Sequence, residues 1–296
     1  MILAPLRGVT IRCFREAFAD EIRAAGFTEA ITPFITANAG YDPLKDRELR
    51  DEGRETEDGR QVLRVTPQFI GKDPEALRTC LEKVKAAGYD TADLNCGCPF
   101  PMVRNKGRGS GILRTPDVLQ RMLEVGCEVM GAGKFSMKAR LGVDRSDELL
   151  KLMPMINEFP LRFLTVHART ARQMYTGIVD AGGLEEVWKV AKVPVVRNGD
   201  VEFPFSDKRR DAASPLGEVM IGRGFVRWLG TREDSRELLE RYIAASQVEL
   251  CGDRPVLGRM KELIAYWKEL PRWKRRWDVI KICRTVSELK MAIGAE

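Results

Sequence analysis

The sequence predicts an α/β protein: a (β/α)8 TIM barrel followed by a small C-terminal helical domain. Short apolar segments alternate with amphipathic stretches over about 230 residues, close to the roughly 250 residues typical of such a barrel. No G-x-G-x-x-G turn follows the first apolar segment, which disfavours the competing open, doubly wound sheet. Beyond residue 231 the alternation stops and the pattern becomes helical throughout. We therefore place the barrel at residues 1–231 and the helical domain at 232–296.

Eight apolar segments are the predicted barrel strands. They are ILAPL (2–6), EAITPFIT (29–36), RVTPQFIG (64–71), TADLNC (91–96), FSMKARL (135–141), RFLTVHA (162–168), PVVRNG (194–199) and EVMIG (218–222). Amphipathic helices are predicted between most of them, for example at 73–88 and 115–133. In the latter, Thr115 and Pro116 are typical of an N-cap and a first helical position. Residues 202–218 leave room for only a short helix before the last strand.

The C-terminal segment carries the charge imbalance of the chain. Residues 254–296 contain 11 Lys and Arg against 5 Asp and Glu, a net +6 that equals the formal charge of all 296 residues. This concentration predicts a polyanionic partner for the segment. Trp267, Trp273 and Trp277 lie in it and have two interpretations, as anchors of the helices in a core or as aromatic contacts to RNA.

The bulk composition limits the class of protein. Apolar residues make up 44% and charged residues 31%, ordinary values for a soluble globular protein. No run approaches the roughly 20 apolar residues of a membrane span, and arginines interrupt the apolar start, so we expect a cytoplasmic protein without a membrane segment. An odd count of seven cysteines predicts reduced thiols, and a single histidine argues against a zinc site. We expect no bound metal and a monomer.

Polar residues gather at the predicted strand ends, where the chemistry of a (β/α)8 barrel is located. The set comprises Gln68, Asn95, Cys96, Cys98, Lys138, Arg140, His167, Arg169, Asn198, Asp200, Gly222 and Arg223. Each one alone is also compatible with an ordinary strand end, and a lone histidine is more often a hydrogen-bonded core residue. Their convergence from several strands instead predicts a binding site. The glycine-rich GEVMIGRG after the last strand predicts that a phosphorylated cofactor binds there.

Seven motifs in order carry a resemblance to a known family. They are APLRGV, TPQFIG, DLNCGCP followed by VRNKGRGSGIL, MKARLG, VHARTARQMY, NGDV and MIGRG. As a set they resemble the tRNA-dihydrouridine synthases over roughly residues 1–225, and DLNCGCP is the most diagnostic. The resemblance implies an enzyme with flavin mononucleotide (FMN) in a (β/α)8 barrel that reduces selected uridines in tRNA, with NADPH as the electron source. It also implies that the helical tail binds tRNA.

Matching the motifs residue by residue implies roles for individual side chains. Cys98, immediately before Pro99, is implied to be the catalytic acid, and a thiol that is mostly protonated at neutral pH suits that role. The implied flavin contacts are Pro5, Leu6, Arg7, Gln68, Lys138, His167, Asn198, Gly199, Asp200, Gly222 and Arg223. The implied uracil contacts are Asn95 and Arg140. Arg169 and Tyr175, close to His167 in the sequence, are further predicted substrate contacts, and the basic tail is predicted to contact the RNA through Lys274, Arg275 and Arg276. Cys96 is expected to pack in the core.

One departure and two alternatives accompany this prediction. Phe100, Pro101 and Met102 stand where the family often has a basic residue soon after the cysteine. The first alternative is a barrel flavoenzyme that acts on a free pyrimidine or another small molecule, which leaves the basic tail without a use. The second is an RNA-binding relative without turnover, which the intact Cys98, Lys138 and His167 disfavour. The sequence therefore predicts a tRNA-dihydrouridine synthase.

Overall fold

The computed structural model describes residues 1–49, 63–204 and 218–294, and strands and helices alternate through the first two ranges. The elements of the barrel are β1 (Ile2–Leu3), α1 (Arg12–Ala17), α2 (Ala19–Ala24), β2 (Glu29–Ile31), β3 (Ile35–Thr36), β4 (Arg64–Thr66), β5 (Gln68–Ile70), α3 (Pro74–Ala86), β6 (Ala92–Cys96), α4 (Pro101–Arg104), α5 (Pro116–Met130), β7 (Phe135–Gly142), α6 (Glu148–Ile156), β8 (Leu164–Thr170), α7 (Ala181–Val190), β9 (Val195–Asn198), β10 (Met220–Ile221) and α8 (Arg223–Thr231). The remaining helices are α9 (Ser235–Glu249), α10 (Asp253–Ile264), α11 (Pro271–Ile280) and α12 (Val286–Gly294).

The strands form a closed parallel barrel. β2 and β3 are two parts of one barrel strand, and so are β4 and β5, because β2 pairs with β4 and β3 pairs with β5. Parallel pairing continues from β5 to β9, and β1 pairs with both β2 and β10. A parallel bridge between Arg197 and Val219 closes the circle from β9 to β10. Each of the eight predicted segments contains a strand, so the predicted (β/α)8 barrel is confirmed.

Two predicted helices illustrate how local sequence starts an element. The α3 helix begins after Asp73, whose carboxylate accepts hydrogen bonds from the N–H groups of Glu75 (3.0 Å) and Ala76 (3.3 Å). The α5 helix begins after Thr115 as predicted, but the Thr115 hydroxyl donates to the carbonyl of Ile112 (3.1 Å) instead of capping the helix. A 3-10 helix ends immediately before Thr115, and the Ile112 carbonyl within it accepts the hydrogen bond from the Thr115 hydroxyl.

The C-terminal helices share a hydrophobic core with α1, α2 and α8. Trp267 and Trp273 are fully buried in it with their rings 4.8 Å apart. Their indole N–H groups donate to the carbonyls of Val226 (2.6 Å) and Gly230 (3.0 Å) in α8. For these two tryptophans the anchoring interpretation holds, whereas Trp277 is half-buried.

The α10 helix also reaches the loop between β1 and α1. Gly8 has a φ of +82°, and a Cβ on it would lie 2.4 Å from Oε2 of Glu262 in α10. The left-handed backbone at this position favours glycine, whereas the Glu262 carboxylate could move aside for a larger residue. Of the predicted segment 202–218, residues 205–217 lie outside the described residues. None of the helices within the described ranges has the length and apolar character needed to span a membrane.

Candidate active site

A cleft lies at the carboxyl ends of the barrel strands, as the sequence predicts. Fifteen predicted residues line it, contributed by the strands β5 to β9 and by the segments that follow β1, β6, β8, β9 and β10. They are Pro5, Leu6, Arg7, Gln68, Asn95, Cys98, Lys138, Arg140, His167, Tyr175, Asn198, Gly199, Asp200, Gly222 and Arg223. The fold therefore brings the whole predicted flavin set together with Cys98 and three of the predicted substrate residues.

Four predicted substrate residues lie elsewhere. Arg169 is buried behind the wall, where its guanidinium donates to the carbonyls of Thr176 (3.0 Å) and Gly177 (2.6 Å) and pairs with Asp200. Its contacts are those of a residue that shapes the loop carrying Tyr175. The other three, Lys274, Arg275 and Arg276, lie on α11, away from the residues that line the cleft.

Cys98 sits in a tight turn between β6 and α4. The Asn95 side-chain oxygen accepts the N–H groups of Gly97 (3.2 Å) and Cys98 (2.9 Å), and Ser110 Oγ donates to the Cys98 carbonyl (2.9 Å). Gly109, with a φ of +57°, lies so close that a Cβ on it would be 2.8 Å from that of Cys98. Burial raises the pKa of the Cys98 thiol, although Arg7 and Arg140 act in the opposite direction. The turn thus presents a protonated thiol at neutral pH.

The rest of the cleft wall is cationic and contains the single histidine. Burial, followed by the charges of Lys138, Arg140 and two further arginines, holds the pKa of His167 far below its usual range, so the imidazole is neutral. Its Nδ1 is buried and has no hydrogen-bond partner within the described residues. Burial and the neighbouring Arg140 also lower the pKa of Lys138 to about 7. Lys138 donates to Asn198 Oδ1 (2.9 Å).

The loops after β9 and β10 form the end of the cleft where a phosphate is predicted. Asp200 pairs with both Arg169 and Arg223 and is itself in the left-handed region, with a φ of +43°. Gly222 packs tightly, since a Cβ on it would lie 3.1 Å from that of Ala4. A residue with a side chain would crowd this end of the cleft. Close backbone approach and an arginine at a helix start are features that suit an anionic group.

Tyr175 connects the two ends of the cleft. The guanidinium carbons of Arg140 and Arg223 lie 5.2 Å and 5.0 Å from the centre of its ring, distances at which cation–π attraction operates. Arg140 is held in turn by the carbonyls of Gly97 (2.9 Å) and Met174 (2.6 Å). The aromatic ring is therefore fixed between two cations, with 41% of its surface exposed to the cleft mouth.

Sequence reasoning missed some lining residues. They include Pro33, Phe34, Phe100, Val201 and Met220. Phe34 lies between β2 and β3, the two parts of the second barrel strand, and the Arg7 guanidinium carbon is 5.2 Å from its ring centre. The strand-end rule does not find it, because Phe34 lies inside the predicted strand EAITPFIT. Cys96 is fully buried in the core and does not line the cleft, in agreement with its predicted packing role.

Comparison with protein families assigns the chain to a known family. The family model described as dihydrouridine synthase (Dus) matches residues 2–231. The chain belongs to the dihydrouridine synthase family. It is thus a flavin-dependent oxidoreductase, as the sequence predicted.

Dihydrouridine synthases from several bacteria are similar to the chain. The tRNA-dihydrouridine synthase B of Vibrio cholerae is 28% identical over 226 residues, which cover 75% of this chain and 66% of that protein. The chain thus spans just under two thirds of the length of this relative. The tRNA-dihydrouridine(16) synthase of Shigella flexneri is 29% identical over 314 residues, which cover 100% of this chain and 98% of that protein.

Solved structures share the barrel at low sequence identity. The old yellow enzyme homologue from Zymomonas mobilis is 12% identical with a TM-score of 0.51 and covers 81% of this chain and 88% of that one. A structure of TcOYE with pHBA is 12% identical with a TM-score of 0.56 and covers 84% of this chain and 93% of that one. At these identities the likeness supports the fold alone.

Proposed function

We propose that this dihydrouridine synthase reduces the 5,6 double bond of specific uridines in tRNA, with FMN as its cofactor and NADPH as the electron donor. The observation that carries the proposal is the arrangement of one cleft. It contains a protonated thiol, Cys98, together with a cationic wall that includes a neutral histidine.

The residues of the cleft suit FMN. Arg7, Lys138, Arg140 and Arg223 supply positive charge, and Asp200 is the one carboxylate among the described residues that line the cleft. The unpartnered Nδ1 of His167 offers a hydrogen-bonding atom to a bound molecule, and Gly222 lets the backbone approach closely. The flavin, when bound, supplies the hydride chemistry that protein side chains lack. Gln68, Lys138 and His167 would hold and orient it, and Asn198 to Asp200 with Gly222 and Arg223 would hold its phosphate.

Cys98 is the proposed proton donor. Reduction of uracil needs a proton at carbon 5 in addition to the hydride at carbon 6, and a general acid must carry that proton at working pH. Burial keeps the thiol protonated, and the hydrogen bonds of the turn hold it in place. Cys98 is 7% exposed within the cleft wall, so the proton is not delivered by a mobile surface group.

Asn95, Arg140 and Tyr175 are the proposed contacts for the uracil. Asn95 Oδ1 already accepts two backbone N–H groups, so a side-chain N–H is what it has left for a ligand. Such a donor matches the carbonyl oxygens of uracil. Tyr175 offers an exposed aromatic ring for stacking, and Arg140 sits between that ring and the Cys98 turn. A uridine in folded tRNA has to leave its stack to reach these residues.

The C-terminal helices at 232–296 are the proposed tRNA-binding domain. Their helix α10 reaches the loop of Arg7, where Glu262 lies against Gly8, so this helix is close to the cleft. Lys274 and Arg275 are exposed on α11. Phosphate contacts from such residues hold the RNA while one nucleotide enters the cleft. We further propose that the protein acts as a monomer in the cytoplasm.

Replacement of the thiol tests the proposal directly. Purified protein is expected to be yellow with bound FMN, and Cys98→Ala should keep the flavin and its reduction by NADPH while losing nearly all dihydrouridine formation in tRNA. General acid catalysis contributes on the order of 10²- to 10⁴-fold, which sets the expected loss. The exposed Cys251→Ser is the matched control and should behave as wild type.

Two results would contradict the proposal. Colourless protein that cannot be reconstituted with FMN would contradict the proposed cofactor. Near-normal amounts of dihydrouridine from Cys98→Ala would contradict the role of Cys98 as the acid. Turnover of free uridine at the rate of tRNA would instead favour the small-molecule flavoenzyme. Product is measured by mapping dihydrouridine in unmodified tRNA after incubation.

A further inference from the structure

A buried chain of hydrogen bonds runs from Asp93 to the Cys98 turn. Gln68 Nε2 donates to Asp93 Oδ2 (2.7 Å), and Asn95 Nδ2 donates to Gln68 Oε1 (2.8 Å). Asn95 Oδ1 then accepts the N–H groups of Gly97 (3.2 Å) and Cys98 (2.9 Å). Asp93 and Gln68 are completely buried and Asn95 is 8% exposed, so water does not compete for these bonds.

The two ends of the chain impose one direction on every bond in it. Backbone N–H groups can only donate, so the oxygen of Asn95 has to face Cys98 and its nitrogen has to face Gln68. The Gln68 oxygen is then fixed towards Asn95, and its nitrogen points at position 93. An acceptor is required there, and an ionised carboxylate is the side chain that only accepts. Asp93 therefore completes a chain in which both amides have a single allowed orientation.

We propose that Asp93 is a positioning residue that fixes the orientations of the Gln68 and Asn95 amides and thereby the turn that presents Cys98. Asp93 does not line the cleft, so it acts through these two amides and not by contact with a ligand. The link from the turn to catalysis rests on the proposed function of Cys98. The chain also leaves Asn95 with a single N–H for a bound base.

The surroundings of Asp93 suit an acceptor that is ionised at neutral pH. Ser136 Oγ in β7 donates to its second oxygen at 2.6 Å. Burial and, to a smaller extent, Glu29 in β2 raise the pKa of Asp93 to about 6, although the hydrogen bonds from Ser136 and Gln68 and the charge of Lys138 in β7 act in the opposite direction. Asp93 therefore carries its charge at pH 7 and above.

A pair of amide–acid exchanges tests the direction of the chain. In Asn95→Asp the new carboxylate still accepts from Gly97 and Cys98, but its other oxygen requires the Gln68 nitrogen. Gln68 has to turn round, and its oxygen then faces the Asp93 carboxylate, so two acceptors meet. Adding Asp93→Asn supplies an N–H to the turned Gln68 while the Asn oxygen still accepts from Ser136. The double variant is thus satisfied in the reverse direction.

We expect Asp93→Asn to rescue the defect caused by Asn95→Asp, although the two residues bind opposite ends of the Gln68 amide. Asn95→Asp should lower the urea midpoint of unfolding. It should also raise the rate at which iodoacetamide alkylates Cys98 by about tenfold or more, because loss of a buried hydrogen bond makes local opening of the turn more frequent by about that factor. Asp93→Asn alone should change both little, because the Asn oxygen still accepts from the Gln68 nitrogen and Ser136 can turn its hydroxyl to the Ala92 carbonyl (3.4 Å). The double variant should return most of the way to wild type. Peptide mass spectrometry separates Cys98 from the other six cysteines.

The same four proteins in a Gln68→Leu background provide the control. Two nearby carboxylates also repel without any amide between them, and that repulsion survives in this background. If the rescue disappears when the Gln68 amide is removed, the result supports the directed chain of hydrogen bonds. Equal rescue in both backgrounds, or additive effects of the two exchanges, would overturn the proposal. Neither readout uses substrate or flavin. Failure of the cycle is therefore distinct from failure of the proposed function, which the Cys98→Ala assay reports.

Discussion

At the scale of single residues, Lys138 couples the site to pH. Its folded pKa of about 7 lies below the ordinary value of 10.5 because the ammonium is buried next to Arg140. Between these two values the unfolded chain holds a proton that the folded protein lacks, so the free energy of unfolding rises with pH across that window. We expect flavin-free Lys138→Met to be more stable than wild type near pH 7 and to lose that advantage towards pH 10, by at most about 1.4 kcal/mol per pH unit.

Urea unfolding at several pH values checks this difference between variant and wild type. Lys134→Met removes an exposed lysine at the other end of β7 and controls for the loss of a lysine as such. A difference between Lys138→Met and wild type that stays constant from pH 7 to pH 10 would contradict the buried-ammonium explanation.

The same scale shows which site residues a sequence can reveal. Residues in or just after a strand that belong to a recognisable motif, such as Cys98, Lys138 and His167, were predictable because the strand fixes their place in the barrel. Arg169 follows the same rule but turns behind the wall, since the carbonyls of Thr176 and Gly177 fold back onto it. Asp93 could not be found this way, because its role depends on an amide contributed by a neighbouring strand.

At the scale of elements, helix α8 packs closely against Trp267 of the C-terminal segment at the position of Gly230. A Cβ on Gly230 would lie 2.5 Å from the Trp267 ring, which is fully buried and fixed by its bond to Val226. Gly230→Ala should therefore destabilise the protein by about 1–3 kcal/mol, the usual cost of overpacking a core. Gly258→Ala is the matched control, because Gly258 is exposed in α10 with nothing within 4 Å of a Cβ, and it should stabilise by about 0.5–1 kcal/mol.

Urea midpoints of the two alanine variants test the contrast. Equal effects of the two substitutions would mean that the contact of α8 with Trp267 yields easily and does not fix the tail.

Sequence periodicity identified the C-terminal helices but not their partner surface, because an apolar stripe does not reveal what covers it. The shared core with α1 and α8 comes from residues that are more than 200 positions apart in the chain, such as Phe14 and Tyr242.

At the scale of the whole molecule, one helix of the C-terminal segment reaches the loops around the cleft. The barrel opens at the carboxyl ends of its strands, and α10 reaches the loop of Arg7 there. Part of the basic tail is committed to structure, since Arg259 pairs with Glu249 and Lys261 donates to the carbonyls of Lys281 and Cys283. Other cations, such as Lys274 and Arg275, face solvent on α11. The net charge of the tail thus overstates the number of cations available to RNA.

Reversal of the α11 cations tests whether tRNA contacts this helix. Lys274, Arg275 and Arg276 changed to Glu together should weaken tRNA binding and make it less dependent on salt, because each phosphate contact contributes a slope of about 0.7–0.9 to the salt dependence. Arg64, Lys134 and Lys192 changed to Glu alter the net charge equally, but they lie at or before the amino ends of β4, β7 and β9, at the far end of the barrel. Affinity and its salt dependence are measured by filter binding across a salt series. Long-range attraction depends on net charge, whereas phosphate contacts depend on position. Only the α11 variant should therefore reduce the salt dependence of binding. Equal losses of tRNA affinity in both variants would place the RNA elsewhere.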